Sequence, residues 1–519
     1  MREEDTKLSD EETGEEQARE NKLTRLRRER LEEYRRSGVE TYPSKFAEPG
    51  EIQYSADLKD RFASLENGAS SGEKVAVAGR LMGMREHGKA TFSDLQDSKG
   101  RIQLMARADV LCEERYPAFL NLDIGDWAGV RGEVVRSRRG ELTVLVESFD
   151  LLSKNLRPLP EKWHGLKDRE ARYRRRYLDL MMSEDSRRVL EARIALIHEL
   201  RSFLHDQGFV EVETPMLHQV PGGANARPFV THHNALDMDL YLRIAPELYL
   251  KRLLVAGYDK VFELNRNFRN EGISSRHSPE FTMLETYQAF VDYHYLLDFV
   301  EELLFTALTR VKGQTTLEFE GLQIDLTKPW KRITMIDAMR EFAGLEMSID
   351  MDHDELKRIA ADLEVDVSEE AGNGWIIAEL FDKTTEPKII QPTFVLDYPQ
   401  EISPLARSKP EAPGFTERFE LLIAGQEIAN AFSELTDPLE QRARFEAQAA
   451  KRESGDQEAH PVDEEFLAAL EYGMPPAGGT GVGIDRLAML VTGSPNIRDV
   501  ITFPHLRPKG GRSSLRPVE

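Results

Sequence analysis

Charged residues are concentrated between Phe268 and Tyr287, in the stretch FRNEGISSRHSPEFTMLETY. Its twenty residues include two arginines, three glutamates and one histidine. The flanking residues alternate between polar and apolar, which predicts two strands joined into an antiparallel hairpin by a loop at Gly272–Pro279. The stretch therefore either lies on exposed surface or lines a binding site.

The predicted hairpin brings four polar side chains onto one face. Arg269 and Glu271 follow the alternation of the first strand, and Glu285 and Tyr287 follow that of the second. The hairpin alone leaves two interpretations open, because an ordinary solvated sheet also has a polar outer face.

A second polar segment, ERFELLIAGQEIANAFSELTD, carries two glutamates on either side of a turn at residues 424–425. These are Glu420 and Glu427. Beyond them, alternation on one strand face would group Asn430, Phe432 and Glu434. The segment is ambiguous, because Glu427, Asn430 and Glu434 also fit one face of a helix.

A third segment, GGTGVGIDRLAMLVTG, leads from glycines into a helix whose first turn carries Asp485 and Arg486. A dinucleotide-binding loop would need a βαβ context, which the surrounding sequence lacks. The segment better fits an arginine held at a helix start against a phosphate or a base ring.

The elements that must position these residues fall into two folded regions. Residues 74–153 predict five short strands with a helix between the third and fourth; the first three run Val75–Met84, Ala90–Gln96 and Ile102–Ala106. This order is that of an OB-fold, a small barrel that binds oligonucleotides or sugars. Some other small β-barrel is the alternative.

The region after the barrel mixes strands and helices without regular alternation, which favours an α+β fold built on an antiparallel β-sheet with flanking helices. It begins with a long helix that ends at Gly208, followed by VEVETPML, an alternating strand closed by Pro215. A chain of 519 residues is expected to form two or three domains. The predicted divisions are an acidic disordered tail at 1–22, a basic helix and connection at 23–65, the OB-fold at 66–154, a linker at 155–183, the larger domain at 184–507 and a C-terminal tail at 508–519.

Composition excludes several classes of protein. No apolar run is long enough to span a bilayer, and the acidic N-terminus has no apolar region that marks it for export. The single cysteine, Cys112, excludes an internal disulfide and a cysteine-based zinc site. A net charge of -23 argues against a general nucleic-acid coat, but two arginine-rich segments, 23–38 and 166–180, leave locally basic faces possible. Taken alone, these two segments favour solvated helices with i,i+4 charge pairs.

Three motifs in this order behind an OB-fold resemble the motifs of class II aminoacyl-tRNA synthetases: TPML, FRNEG with RHSPEF, and GVGIDR. They lie at about 189–217, 260–288 and 478–492. From about Arg25 to Arg507 the chain resembles the bacterial-type class II lysyl-tRNA synthetases, and PGGANARPF, RIAPELYLKRL, DYPQEISPLAR and EIANAFSEL match that family closely. The larger domain is then catalytic.

The resemblance implies a lysine–tRNA ligase, which converts lysine and ATP to lysyl-adenylate and pyrophosphate and then transfers the lysyl group to the 3′ end of tRNA(Lys). By match to the family, Arg269 and Arg486 are catalytic. ATP would be bound by Arg269, Glu271, His277, Phe281, Glu420, Glu427, Gly483 and Arg486. Lysine would be bound by Gly223, Glu247, Arg269, Glu285, Tyr287, Asn430, Phe432 and Glu434.

Magnesium would be held by Glu420 and Glu427, since it needs few carboxylates beside phosphate oxygens and water. The tRNA anticodon would be read on the barrel by Arg80, Phe92, Gln103 and Glu141. For Phe92 the residues alone leave a plain position in the barrel core open. The basic helix beside the barrel would contact the tRNA backbone.

The family pairs through its first motif, so a homodimer is implied, with Pro215 at the interface and a cytoplasmic location. Ser278 stands where the family usually has asparagine. Three alternatives follow: a related enzyme that lysylates a protein, which the OB-fold argues against; one that charges aspartate or asparagine, which Glu434 and Glu285 disfavour; and a synthetase-like RNA-binding or regulatory protein without catalysis. A pure single-strand binder would leave roughly 350 residues unexplained.

Overall fold

The structure is a computed structural model that describes residues 21–48, 50–160, 168–368, 371–453 and 461–507. The chain divides into two compact units between residues 165 and 166. The predictions for the C-terminal tail, and for the acidic N-terminal tail up to residue 20, lie outside the described residues.

The first unit is a closed barrel with the strand order β1-β2-β3-β5-β4. Its strands are β1 (Ser70–His87), β2 (Ala90–Gln96), β3 (Arg101–Arg107), β4 (Trp127–Arg136) and β5 (Leu142–Ser153). Its helices are α1 (residues 21–36), α2 (Ser55–Arg61) and α3 (Ala108–Leu120). Because five strands close into a barrel with a helix between the third and fourth, the predicted OB-fold is confirmed.

Helix α1 is less solvated than its arginine content indicates. Arg27 is 8% exposed. Its guanidinium donates to the carbonyl oxygens of Arg157 at 2.9 Å and Ile124 at 3.0 Å. The prediction of a wholly solvated helix is therefore wrong for Arg27, because this side chain attaches the helix to the barrel.

The second unit is built on an eight-stranded sheet of order β14-β15-β16-β17-β18-β11-β10-β6. The strands of this unit are β6 (Val210–Glu211), β7 (Leu217–His218), β8 (Val230–His233), β9 (Met238–Leu242), β10 (Lys260–Phe268), β11 (Glu280–Ala289), β12 (Thr316–Phe319), β13 (Leu322–Asp325), β14 (Lys331–Thr334), β15 (Thr393–Leu396), β16 (Arg418–Leu422), β17 (Glu427–Ser433) and β18 (Ala477–Gly483). The interior of the large sheet is antiparallel, as predicted, and only its outermost pairs, β14–β15 and β10–β6, are parallel.

Helices flank this sheet and cover its apolar core. They are α4 (Arg169–Arg174), α5 (Arg176–Met182), α6 (Glu184–Asp206), α7 (Glu247–Val255), α8 (Tyr293–Lys312), α9 (Met335–Ala338), α10 (His353–Asp362), α11 (Asn373–Thr384), α12 (Pro438–Glu453), α13 (Glu464–Glu471), α14 (Ile484–Thr492) and α15 (Ile497–Val500). Helix α6 begins at Ser183, whose side chain accepts a hydrogen bond from the amide of Ser186.

Strand β18 lies between β11 and β17, and this arrangement joins the three polar segments. Glu285 on β11 and Asn430 on β17 are both in register with Gly481 on β18. The segment at 427–433 is a strand, which resolves its helix-or-strand ambiguity. A strand made largely of glycine leaves the space above it open to the side chains of both neighbours.

Two local predictions are wrong. VEVETPML does not form an alternating strand up to Pro215: β6 ends at Glu211, followed by one further backbone hydrogen bond from Val212 to Phe262, and Pro215 has no amide proton to continue the pairing. The second arginine-rich segment is not wholly solvated, because Arg176 is buried beside Asp179 and donates to the carbonyl of Ile501 at 3.0 Å.

A buried ion pair ties α6 to the other two motif segments. Arg193 pairs with Asp485 at the start of α14, and its second terminal nitrogen donates to the hydroxyl of Thr282 on β11 at 2.9 Å. The amide of Thr282 in turn donates to Asp485 at 2.7 Å. The network therefore fixes the residue beside Arg486.

We expect Arg193→Ala to lower the free energy of unfolding by about 3 kcal/mol or more, because it leaves the Asp485 carboxylate buried without its cation. Urea denaturation of the full chain measures the change. Arg188→Ala is the matched control, since Arg188 and Asp185 form an ion pair whose side chains are 77% and 82% exposed. Equal losses in the two variants would contradict a structural role for the buried pair.

Candidate active site

One cavity of about 350 Å³ opens where β11, β18 and β17 meet the loop after β10. Every sequence-predicted site residue of the second unit lines it except Glu434. These residues are Gly223, Glu247, Arg269, Glu271, His277, Phe281, Glu285, Tyr287, Glu420, Glu427, Asn430, Phe432, Gly483 and Arg486. Ser278, the departure from the family pattern, also lines the cavity.

Two arginines occupy one end of the cavity. The guanidinium of Arg486 donates to the backbone carbonyl of Glu427 at 2.8 Å and to its carboxylate at 3.2 Å, and lies 3.5 Å from Nε2 of His277. The guanidinium of Arg269 lies over the ring of Phe281, 5.0 Å from its centroid. Burial and the positive charge of Arg486 lower the pKa of His277, so its imidazole is neutral at pH 7.

A pair of glutamates lies beside the arginines. The Glu420 carboxylate accepts from Arg418 at 2.6 Å and from the hydroxyl of Tyr398 at 3.0 Å. Burial, and next the charge of Glu427, raise the pKa of Glu420 to about 7. A divalent cation at this pair would offset that repulsion. Within the described ranges no three metal-ligating side chains converge, so such a cation would depend on these two carboxylates, phosphate oxygens and water.

The opposite end of the cavity is acidic. Glu285 is 4% exposed and accepts a hydrogen bond from the hydroxyl of Tyr287 at 3.0 Å. Burial, and next the charge of Glu247, raise the pKa of Glu285 to about 8. Glu247 is also buried, at the first turn of α7. This end is suited to ligands with ammonium groups, which would neutralise the carboxylates.

Glu434 lies behind this acidic wall. Its ion-pair partner, Lys251, was not identified from the sequence. Lys251, 0% exposed, forms ion pairs with Glu434 and with Glu247, the latter at 2.6 Å. Its Nζ lies 5.4 Å from the ring centroid of Phe432. The i,i+4 spacing of Glu247 and Lys251 was the available signal, but that spacing also describes an exposed helix pair.

Glycine at position 479 is a steric requirement of this wall. A Cβ there would lie 2.1 Å from Oε1 of Glu434 and 2.5 Å from Cε1 of Tyr287. Gly223 is a second such position. Its φ is +90°, and a Cβ there would lie only 3.1 Å from the Cβ of Glu247. Both glycines allow the acidic side chains their observed positions.

The barrel unit carries the sequence-predicted anticodon residues, none of which is buried. Phe92 and Gln103 lie on the half-exposed faces of β2 and β3, whose other faces fill the barrel, so Phe92 is not a core residue. Gln103 accepts from the hydroxyl of Thr143 at 3.0 Å. Arg80 lies over the ring of Trp127 and donates to the carbonyl of Gly125, and Glu141 is exposed.

Both units match known families. Residues 168–507 match the model of the class II tRNA synthetases (D, K and N), and residues 75–152 match that of the OB-fold nucleic acid binding domain. The fold and the cavity thus define a class II aminoacyl-tRNA synthetase.

Relatives that match over nearly their whole length identify the family within this class. The chain is 52% identical to a lysine–tRNA ligase of Syntrophomonas wolfei over 95% of this chain and 98% of the relative. It is 53% identical to that of Moorella thermoacetica, over 94% and 99%, and 48% identical to that of Staphylococcus aureus, over 93% and 98%. The chain belongs to the lysine–tRNA ligase family. None of its described helices combines the length and apolar character needed to cross a membrane.

We expect Gly479→Ala to raise the KM for lysine by more than about tenfold, because the added methyl group displaces the Glu434 carboxylate from the position that glycine permits. ATP–pyrophosphate exchange gives the KM for lysine and the KM for ATP in one assay. The KM for ATP should stay within about threefold, since the arginine end is untouched. An unchanged KM for lysine would mean that the acidic wall adjusts to the methyl group.

Proposed function

We propose that this cavity forms lysyl-adenylate and that the barrel reads the anticodon of tRNA(Lys). The observation that carries the proposal is the grouping of charges around one cavity. Arg269 and Arg486 lie at one end beside the Glu420–Glu427 pair, and Glu247 and Glu285 line the other end with Glu434 behind them. Lysine and ATP together carry the complementary charges, with two ammonium groups at one end and phosphates at the other.

At the acidic end, Glu434 and Tyr287 would bind the side-chain ammonium of lysine. Glu247, Glu285 and the backbone of Gly223 would bind its α-ammonium group. Asn430 would bind the carboxylate, and Phe432 would contact the aliphatic stem. A pocket built to pair both ammonium groups rejects amino acids that lack one, because its buried carboxylates are then left unpaired.

At the basic end, Arg269 would contact both the lysine carboxylate and the α-phosphate, and Arg486 the far phosphate. Glu271, His277 and Gly483 would bind ATP, with adenine stacked on Phe281. The lysine carboxylate oxygen attacks the α-phosphorus and pyrophosphate leaves; the 3′-terminal hydroxyl of the tRNA then attacks the lysyl carbonyl, and AMP leaves. Arg269 and Arg486 stabilise the charge that develops on the phosphate oxygens in the first step.

Magnesium fits Glu420 and Glu427, because burial and next the charge of Glu427 raise the pKa of Glu420 to about 7 even though Arg418 lowers it. When bound, the ion would supply charge neutralisation for the phosphates of ATP. Arg418 and Tyr398 orient the Glu420 carboxylate, and Arg486 orients that of Glu427.

Recognition of tRNA would use the outer surface of the barrel. A base would stack on Phe92, and Gln103 would read a base edge, with Arg80 and Glu141 as further contacts. The exposed arginines of α1 would contact the tRNA backbone. Arg27 is excluded from that role because its guanidinium is already bonded to the barrel.

We also infer a homodimer that works in the cytoplasm, where lysine, ATP and tRNA are available together. The first motif leaves large apolar side chains exposed, including Ile194, Val210 and Leu217 at 59%, 47% and 43%. Pro215 is exposed among them. Exposed apolar side chains in one segment are expected where a protein–protein interface covers them.

The proposal predicts ATP–pyrophosphate exchange with lysine alone among the twenty amino acids, with magnesium and without tRNA. Arg269→Ala should lower the exchange rate by about 10²–10³-fold or more, because it removes a preorganised cation at the reacting phosphate. Its affinity for tRNA(Lys), measured by filter binding, should change by less than about threefold, because the anticodon site lies in another unit. Exchange with a different amino acid would overturn the pocket assignment.

Phe92→Ala is the reciprocal variant. It should weaken charging through the KM for tRNA, by the equivalent of about 1–3 kcal/mol for a lost base stack, and leave tRNA-independent exchange unchanged. An equal loss in both assays would mean that Phe92 is structural.

Lysine binding should depend on pH because burial raises the pKa of Glu285 and that of Glu434 to about 8. Below pH 8 these free carboxyl groups retain protons, which must leave when the two ammonium groups of lysine bind. We therefore expect release of about one to two protons per lysine and an affinity that rises from pH 6 to 8 and then levels off. Calorimetry in buffers of different ionisation enthalpy measures the protons, and Glu285→Gln should lower the number released by about one. Proton-independent binding in the unmodified protein would contradict this.

A further inference from the structure

We propose that Lys251 is a positioning and specificity-determining residue: an internal ammonium group that pairs with the carboxylates of Glu247 and Glu434 and places them for lysine. The inference rests on the proposed role of these two glutamates in lysine binding. Lys251 itself does not line the cavity and acts through the carboxylates in front of it.

Lys251 is a buried cation enclosed by carboxylates and aromatic rings. The side chain extends from α7 and is wholly buried, with its Nζ between Glu247 and Glu434. Two aromatic rings enclose the ammonium group, Phe432 at 5.4 Å and Phe466 at 6.0 Å from Nζ to the ring centroids. Water therefore does not screen the two ion pairs, and both carboxylates are fixed in direction.

The charge balance of the wall explains why an internal cation is present. Three carboxylates, those of Glu247, Glu285 and Glu434, are buried close together. With lysine bound and all three carboxylates ionised, one internal ammonium leaves two negative charges, which is the number that the two ammonium groups of lysine neutralise. Burial raises the pKa of Glu434 to about 8, and the charge of Lys251 opposes that rise. Without Lys251 the proton would be held more tightly, and a protonated Glu434 would accept the lysine ammonium poorly.

The buried oxygens of the Glu434 carboxylate show where a ligand could donate. Neither oxygen has a hydrogen-bond partner among the described residues; Oε2 forms an ion pair with Lys251, and Oε1 has no such cation. Oε1 lies on the side of Gly479 and the Tyr287 ring, both of which line the cavity. A buried acceptor without a donor is unfavourable, and the side-chain ammonium of lysine supplies the missing donor.

The test is the split between two Michaelis constants in ATP–pyrophosphate exchange. Lys251→Met should raise the KM for lysine about 100-fold while the KM for ATP stays within about threefold, because only the acidic end loses its organising charge. Discrimination between lysine and norleucine, which lacks the side-chain ammonium, should fall by a similar factor. Equal changes in both constants, or an unchanged KM for lysine, would overturn the proposal.

Lys154→Met is the matched control. Lys154 is another buried lysine, held by Asp123 and Asp126 in the barrel unit. Its replacement removes an equally buried cation, so loss of stability should be comparable, whereas the KM for lysine should not change. A similar rise of that constant in both variants would mean that Lys251 acts only through general stability.

Glu434→Gln separates the two levels of inference. If this variant leaves the KM for lysine unchanged, the proposed lysine site is wrong; if it raises that KM and Lys251→Met does not, only the role of Lys251 is wrong. If Lys251→Met does not fold, the double variant Lys251→Met/Glu434→Gln replaces it and is compared with Glu434→Gln. The double variant leaves one fewer uncompensated charge than Lys251→Met alone. A further rise of about tenfold through Glu247 is expected, and equal constants would overturn the proposal.

Discussion

The burial of three like charges in one wall is the constraint on which the second unit depends. Glu247, Glu285 and Glu434 are each at most 5% exposed. Carboxylates removed from water are strongly unfavourable unless they are paired or hydrogen-bonded. Lys251 pairs with two of them, and the Tyr287 hydroxyl donates to the third. The wall is therefore stable enough to exist before a ligand arrives, and it carries an excess of negative charge once its carboxyl groups have lost their protons.

The order of the sheet makes this wall possible. Glu285 and Glu434 are 149 residues apart in the sequence, and they approach each other because β11 and β17 both pair with β18. A side chain at Gly479 would occupy the space of the Glu434 carboxylate. Gly479 of β18 thus serves the geometry of the acidic wall, and the sequence resemblance of this strand to a phosphate-binding loop is incidental to that role.

Patterns confined to one element could be predicted from the sequence. The alternation on either side of the loop at 272–279 predicted the hairpin of β10 and β11, and the turn at 424–425 was read correctly between β16 and β17. The five-stranded barrel followed from strand lengths and turns in the same way. Family motifs then selected fourteen residues that the fold places around one cavity.

What the sequence did not reveal depends on partners distant in the chain. Arg27 and Arg176 belong to arginine-rich helices that are typical of solvated surfaces, and their burial follows from carbonyl groups about 100 or more residues away. Lys251 is one turn from Glu247, a spacing found on countless exposed helices. That pair becomes a buried triad only because Glu434, which directly follows β17, forms an ion pair with Lys251.

The two ends of the cavity are coupled through the ligand that the family activates. Lysine is an extended molecule with its carboxylate and α-ammonium at one end and a second ammonium at the other. With both ammonium groups at the acidic wall, its carboxylate faces Arg269, the cation assigned to the α-phosphate. Reversing the molecule would bring the carboxylate against Glu434, where like charges in a site of low dielectric repel strongly. In the proposed binding mode, the electrostatic field that would select lysine would also orient it for attack, so that specificity and positioning would come from one arrangement of charges.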